Sequence, residues 1–253
     1  MNNKSSYLAA DWSQTRLKKP DNVHAFTTLR NGGVSIGDFN EYNLAKHVGD
    51  DAQSVKSNRA KLVEDLYLPA EPVWLEQVHS NIVICADDTA AGDVIPADAS
   101  FSRKKGVVCA VMTADCLPVF FCNQAGNEVA VAHAGWRGLH AGIISNTIAA
   151  MQTPADEILV SLGPAIGPQM FEVGEEVLHA FVSKNSINKT AFVATSQDRY
   201  LCDIYQLAHI ELQSIGIGQA AGGGYCTYSE AHRFYSYRKQ QNTGRMASLI
   251  WLT

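Results

Sequence analysis

The chain has 253 residues, of which 46% are hydrophobic and 18% are charged, and its formal net charge is −5 at pH 7. This composition is typical of an ordinary soluble enzyme, and the acidic balance argues against a nucleic-acid-binding surface. None of the six cysteines forms a Cys-x-x-Cys pair, no apolar run has the length of a membrane span, and the N-terminus lacks the apolar core of a signal peptide. We therefore expect reduced thiols, no membrane partner and a cytoplasmic location.

The hydrophobic pattern predicts helices and strands that alternate along the chain. In order, it predicts a helix over 51–66; strands over 73–78, 82–85, 107–112, 117–122 and 128–132; a helix over 136–151; a strand over 157–162; helices over 174–182 and 202–215; and a final strand over 246–252. The alternating residues of 234–238 suggest one more strand. Strands that are apolar throughout are covered on both faces. We therefore expect a single α/β, or α+β layered, domain over residues 1–253, with a central mixed β-sheet or sheets flanked by helices.

Two chemically capable residues stand at the ends of predicted strands. Cys116 is expected in a tight bend between two strands, directly after Asp115, whose carboxylate must be paired if it is buried. His133 follows a strand and precedes a glycine-rich turn that opens a helix, which is where α/β folds commonly build their sites. Each also has a structural interpretation, because free cysteines are usually small buried hydrophobes and the segment after His133 could be only a turn.

A third residue, His79, follows the strand predicted over 73–78, and Gln77 should point to the same side of the chain. His79 precedes Cys116 by 37 residues, and Cys116 precedes His133 by 17, so the tight ligand pairs of a zinc finger are excluded. One thiol and two imidazoles suffice for a catalytic zinc site with an open fourth position. They equally suffice for a cysteine nucleophile with a histidine base.

Arginines in turns of small residues are candidates for anion binding. Arg30 lies beside Gly32 and Gly33, Arg137 lies in the turn after His133, and Arg245 precedes the final strand. The planar guanidinium group suits phosphate and carboxylate. The alternative for each is an ion pair on the surface.

The chain resembles the YfiH family, also called the laccase-domain or purine nucleoside phosphorylase family. The resemblance rests on eleven segments in the same order: TLRNGGVS at 28–35, NLAKHVGD at 43–50, QVH at 77–79, ADA at 97–99, TADC at 113–116, HAGWRG at 133–138, GPAIG at 163–167, FEVG at 171–174, CT at 226–227, FYSYR at 234–238 and TGR at 243–245. These segments extend over nearly the whole chain.

The resemblance implies a single-domain α/β fold, related in architecture to toxin deamidases with a Cys-His site. It implies a zinc ion, or alternatively copper, held by His79, Cys116 and His133, which would also be the catalytic residues. It implies phosphorolysis of adenosine, inosine and methylthioadenosine, and deamination of adenosine, by a monomer or homodimer whose partners are a purine nucleoside and phosphate. We expect the substrate contacts to come from Arg30, Asn43, Gln77, Arg137 and Arg245.

The residues leave other activities open. The family has also been linked to copper-dependent polyphenol oxidation, but the chain has 8 histidines and no His-x-His pair, so a three-copper cluster is not expected and a lone copper remains an alternative. Zinc deaminases carry a glutamate two residues after a ligand histidine, and neither His79 nor His133 has one. Phosphorolysis needs an acid, for which the candidates are Asp98, Asp115, Glu172 and Glu175. A metal-free hydrolase that edits peptidoglycan precursors, with Cys116 as nucleophile and His133 as base, is the main rival.

Overall fold

Within residues 6–90 and 93–253, which the computed structural model describes, the chain forms fifteen strands and five α-helices. The strands are β1 Tyr7–Ala9, β2 Val23–Thr28, β3 Leu75–Glu76, β4 Val83–Cys85, β5 Ile95–Pro96, β6 Ala99–Ser102, β7 Val108–Thr113, β8 Leu117–Asn123, β9 Val129–Ala134, β10 Ile158–Leu162, β11 Glu172–Gly174, β12 Phe192–Ser196, β13 Arg199–Cys202, β14 Ala221–Gly222 and β15 Met246–Leu252. The helices are α1 Ala52–Asp65, α2 Trp136–Ala141, α3 Ile143–Ala150, α4 Glu175–Lys184 and α5 Ile204–Ser214. Short 3-10 helices lie at Gly37–Phe39, Ala86–Asp88, Ala155–Glu157 and Ser186–Ala191.

Two larger sheets pack face to face. One has the strand order β14-β10-β8-β9-β6-β4, with antiparallel inner strands and parallel pairing at both edges. The other is antiparallel, with the order β1-β2-β15-β7. Apolar side chains from both sheets, among them Cys109, Phe120 and Ile250, form one cluster between them. Smaller sheets are formed by β11-β13-β12 and by β3-β5.

Helices cover the outer faces of both sheets. Ile144 of α3 and Leu207 of α5 pack on the outer face of the six-stranded sheet with Phe121. Leu62 of α1 packs with Leu249 on the outer face of the four-stranded sheet. Because both faces of the central strands are buried, their sequences are apolar at most positions rather than alternating. The predicted class, a mixed α/β fold with flanking helices, is confirmed. No helix in the two described ranges has the length and apolarity to span a membrane.

The boundaries of two predicted helices are wrong for local reasons. The helix predicted over 136–151 is divided at Gly142, which has a φ of +91° and ends α2 before α3 begins. The helix predicted over 202–215 begins at Ile204, because the Asp203 side chain accepts a hydrogen bond from the backbone N–H of Gln206 and caps it. Cys202 instead ends β13.

Two predicted strands are also wrong, because their backbones are used elsewhere. The strand over 73–78 is reduced to β3, and the backbone N–H groups of Val78, His79 and Ser80 donate to the Asp98 carboxylate instead of to a neighbouring strand. The segment 234–238 forms a bend and the start of a turn, not a strand.

Candidate metal and catalytic site

The three residues expected to act together meet at one point of the fold. Cys116 lies in the bend by which the chain leaves β7 in one sheet and enters β8 in the other, as predicted. His133 lies within β9, not beyond its end, and pairs with Pro118 of β8. His79 lies in the loop after β3. One potential ligand atom from each residue lies within 4.8 Å of the others, and Cys116 Sγ is 4.0 Å from His79 Nε2. This spacing suits three ligands around one ion.

Backbone conformation makes this approach feasible. His79 has a φ of +59° and Asp115 a φ of +93°, both in the left-handed region that non-glycine residues seldom adopt. Gly135 lies directly against the three side chains, and a Cβ atom there would be 2.9 Å from Cys116 Sγ and 3.1 Å from His79 Cδ2. Only glycine therefore fits at position 135 without displacing a neighbouring side chain.

A buried carboxylate orients two of the three residues. Asp98 is fully buried and accepts hydrogen bonds from the backbone N–H groups of His79 (3.0 Å) and Ser80 (2.6 Å), from Ser80 Oγ (2.7 Å) and from His133 Nδ1 (2.8 Å). Because Nδ1 of His133 donates to Asp98, Nε2 is left for Cys116 or an ion. Histidine ligands are commonly held in this way by a carboxylate behind them. Burial opposes ionisation of Asp98, but the hydrogen bonds of His133 and Ser80 outweigh it and lower its pKa. Asp98 thus orients the site and is not placed as the acid.

Both carboxylate oxygens of Asp115 also accept hydrogen bonds from protein groups. Its Oδ1 accepts from the Thr227 hydroxyl (2.6 Å) and its Oδ2 from the backbone N–H of Arg238 (2.6 Å). These bonds fasten two distant loops to the bend that carries Cys116. The other two candidate acids, Glu172 and Glu175, are not among the described residues that line the cavity next to Cys116.

Cys116 and His133 form a polarised pair. Burial of the Cys116 thiol opposes its ionisation, but the charge of His133 and the hydrogen bonds of both histidines outweigh burial and lower the thiol pKa. Burial of His133 disfavours its charged form, but the Cys116 thiolate and Asp98 outweigh this and raise the imidazole pKa. The thiolate is the form that binds metals and the form that attacks carbonyl carbon, so the pair suits either chemistry.

A cavity of about 440 Å³ opens above the three residues. This volume lies in the range of small-molecule binding sites. One part of its wall is apolar or aromatic, and another carries cationic and imidazole groups. The apolar and aromatic residues include Met112, Trp136, Ile166, Phe171 and Ile204, and the cationic and imidazole residues are His47, Arg137, Arg238 and Arg245. Such a wall suits a flat ring system together with an anion.

Of the five residues expected to contact the substrate, three line the cavity and two are not among its described lining residues. Arg137, Arg245 and Gln77 line the cavity, and the Gln77 amide also bonds both backbone groups of Met112 (2.7 and 2.8 Å). Arg30 and Asn43 are not among its described lining residues.

The side chains of these two residues contact other parts of the protein. The Arg30 guanidinium donates to backbone carbonyls of Asn40 and Ala231 and lies over the Tyr235 ring. Asn43 Oδ1 accepts from the backbone N–H of Arg245 (3.0 Å). Asn43 thus holds a cavity residue in place from behind.

His47 and Arg238 line the cavity but were not singled out as site residues from the sequence. Both lie in segments that carry the family resemblance, and this was the only available signal. Burial and the charges of Arg245 and Arg59 lower the pKa of His47. The positive charges of Arg245 and Arg59 near His47 favour an anionic ligand at this part of the wall.

Known proteins resemble this chain over most of its length. A family described as "Multi-copper polyphenol oxidoreductase laccase" matches residues 23–253. A Pseudomonas aeruginosa protein named purine nucleoside phosphorylase is 48% identical over 249 residues, covering 98% of this chain and 99% of the relative. The Escherichia coli K12 protein named purine nucleoside phosphorylase YfiH is 48% identical over 248 residues, with the same coverage.

Solved structures show the same fold. The crystal structure of a Neisseria meningitidis protein superposes with a TM-score of 0.92 at 46% identity, covering 98% of this chain and 99% of the other. YlmD from Geobacillus stearothermophilus superposes with a TM-score of 0.86 at 31% identity, covering 92% of each chain.

Proposed function

Because the chain belongs to the YfiH family of laccase-domain proteins, we propose that it is a zinc-dependent purine nucleoside phosphorylase. The observation that carries the proposal is the group of His79, Cys116 and His133 at the base of a cavity with a cationic wall. The names of the Pseudomonas aeruginosa and Escherichia coli relatives support the reaction.

The donor set fits zinc. The pKa of the Cys116 thiol is lowered, Nε2 of His133 is left free by Asp98, and Gly135 leaves room beside all three ligand side chains. Zinc bound there would supply a Lewis acid at the base of the cavity. Three protein ligands leave a coordination position open, which is the arrangement of catalytic rather than structural zinc.

The cavity walls carry groups suited to phosphate and to a purine ring. A phosphate oxygen forms a bond to C1′ of the ribose, the C1′–N9 bond breaks, and its electron pair departs with the purine. We assign phosphate binding to Arg245 and Arg137, which line the cavity, because guanidinium groups bind and neutralise phosphate. We assign purine binding to the apolar wall that includes Trp136 and Phe171. Adenosine, inosine and methylthioadenosine are the proposed substrates.

Adenosine deamination is a second proposed activity of the same site. In that reaction water replaces phosphate as the attacking group, its oxygen bonds to C6 of the purine, and the C6–N6 bond breaks to release ammonia. Residues that bind the purine would serve both reactions. We propose that the protein acts as a monomer or homodimer in the cytoplasm, on small molecules rather than on nucleic acid.

Two substitutions test the proposal. The variants Cys116→Ala and His133→Ala should lose bound zinc and nucleoside turnover while remaining folded, because each removes one of three ligands. The buried Cys109→Ala, which removes a thiol outside the site, is the matched control and should keep both. Full phosphorolysis by either ligand variant would contradict the proposal.

The Cys116, His133 and Asp98 arrangement supports one alternative, a metal-free cysteine hydrolase that edits peptidoglycan precursors. In that case chelators should leave activity intact and iodoacetamide should abolish it. The family description supports another alternative, polyphenol oxidation with copper in the same ligand group. That activity should appear as oxygen-dependent phenol oxidation only after loading with copper.

A further inference from the structure

One hydroxyl in the cavity wall has no hydrogen-bond partner among the residues that the structure describes. Thr113 ends β7, is 1% exposed and lines the cavity, and its Oγ1 bonds to none of the described residues. Other buried threonines of the fold are paired: Thr27 with Ser248 at 2.8 Å, and Thr28 with the backbone N–H of Ala247 at 2.9 Å. Buried hydroxyls are almost always hydrogen-bonded. The hydroxyls of Ser100 and Ser161 also lack a partner among the described residues, but of the three only Thr113 lines the cavity, and there the missing partner points to a bound ligand.

The Thr113 hydroxyl is held on a rigid part of the fold. Thr113 pairs with Met246 of β15 at the last position of the antiparallel ladder between β7 and β15. The preceding residue, Met112, has both backbone groups bonded by the Gln77 side chain. The hydroxyl is therefore placed before a ligand arrives, which is the property of a group that selects its ligand.

The rest of the cavity indicates which ligand group Thr113 meets. The apolar wall is suited to the purine ring and the arginines to phosphate, which leaves the sugar without an assigned partner. A threonine hydroxyl both donates and accepts, and so matches an alcohol. Resting on the proposed function, we propose that Thr113 determines specificity by hydrogen-bonding a ribose hydroxyl of the nucleoside.

The test removes the Thr113 hydroxyl and each ribose hydroxyl of the nucleoside, separately and together. The variants are Thr113→Val, which keeps the shape, and Thr113→Ser, which keeps the hydroxyl. The probes are adenosine and its 2′-deoxy, 3′-deoxy and 5′-deoxy analogues, measured by kcat/KM for phosphorolysis and by Kd from calorimetry. Thr113→Val should lower kcat/KM for adenosine, and weaken adenosine binding, about tenfold. It should change neither quantity for the one analogue that lacks the partner hydroxyl. Thr113→Ser should resemble the wild type.

The melting temperature of Thr113→Val should equal or exceed that of the wild type, because an unpaired hydroxyl is replaced by a methyl group. An equal loss with all four probes, or no loss with adenosine, would overturn the role of Thr113 and leave the phosphorylase proposal intact. If the wild type binds adenosine without releasing adenine, the phosphorylase proposal fails. The role of Thr113 is then decided by the Kd values alone, by whether Thr113→Val weakens the binding of adenosine and spares one deoxy analogue. A wild type that binds no adenosine overturns both.

Discussion

The substitution Gly135→Ala tests the geometry of the ligand group most sharply. Gly135 has φ −63° and ψ 158°, a conformation that alanine adopts without strain. Elsewhere such a substitution is neutral or stabilises a protein by about 0.4–1 kcal/mol, through the unfolded chain. At this position the added methyl group would lie 2.9 Å from Cys116 Sγ, 3.1 Å from His79 Cδ2 and 3.6 Å from His133 Nε2. The closest contacts of the added methyl group are therefore with the side chains of the three site residues.

We expect Gly135→Ala to fold and to bind zinc less tightly by about 10- to 100-fold, the usual effect of disturbing what surrounds a ligand. Turnover should fall by about 100-fold, because displacements of about 1 Å have effects of that size. Zinc affinity can be measured by competition with a chromogenic chelator, and folding by circular dichroism. The matched control is Gly218→Ala, where an added Cβ meets nothing within 4 Å. A Gly135→Ala variant with the zinc affinity and turnover of the wild type would refute this account of the site.

Three further predictions concern other parts of the site. Asp98→Asn should lower the free energy of unfolding by about 3 kcal/mol in urea titrations and weaken zinc about 10- to 100-fold, because an amide replaces a buried carboxylate that accepts several hydrogen bonds; unchanged stability would contradict it. Arg245→Gln should raise the KM for phosphate at least about tenfold and the KM for adenosine much less, whereas the control Arg16→Gln should change neither; equal changes in both KM values would argue against a phosphate role. Removal of zinc by a chelator should speed the alkylation of Cys116 by iodoacetamide, because the freed thiol has a lowered pKa. The alkylation rate can be measured by mass spectrometry, and slower alkylation would count against Cys116 as a ligand.

Apolar patterns were enough to predict the class of fold. The strands β7, β8, β9, β10 and β15 are apolar at all but one position each, and their bounds were predicted within one or two residues. The strand β6 was missed, because its sequence Ala-Ser-Phe-Ser is short and half polar although every residue is buried. The segment 234–238 has a strand-like pattern, yet its backbone forms a bend and the start of a turn, held partly by the bond from Arg238 to Asp115. Such long-range bonds override local preference, and the local sequence carries no trace of them.

The core of the candidate site was predictable because its residues follow or adjoin segments with an apolar pattern, although His133 lies inside β9 and only a two-residue strand precedes His79. His79, Cys116 and His133 were each named from that position, and the structure brings them together. The roles of the residues around them depend on partners far away in sequence. Asn43 supports Arg245 across 202 residues, and nothing near either residue indicates the contact.

The unpaired hydroxyl of Thr113 is a case of the same kind. Its significance lies in the absence of a partner in the described structure, and no sequence pattern reports that.

Metal analysis of the purified protein, combined with adenosine turnover in phosphate and in phosphate-free buffer, tests the central claim most directly. We predict about one zinc per chain, and adenine released only when phosphate is present, because phosphate is the attacking group and the His79, Cys116 and His133 set holds one ion. Inosine formed in both buffers would favour deamination as the main activity. A protein with no bound metal and no nucleoside turnover would contradict the claim and favour the Cys116 hydrolase.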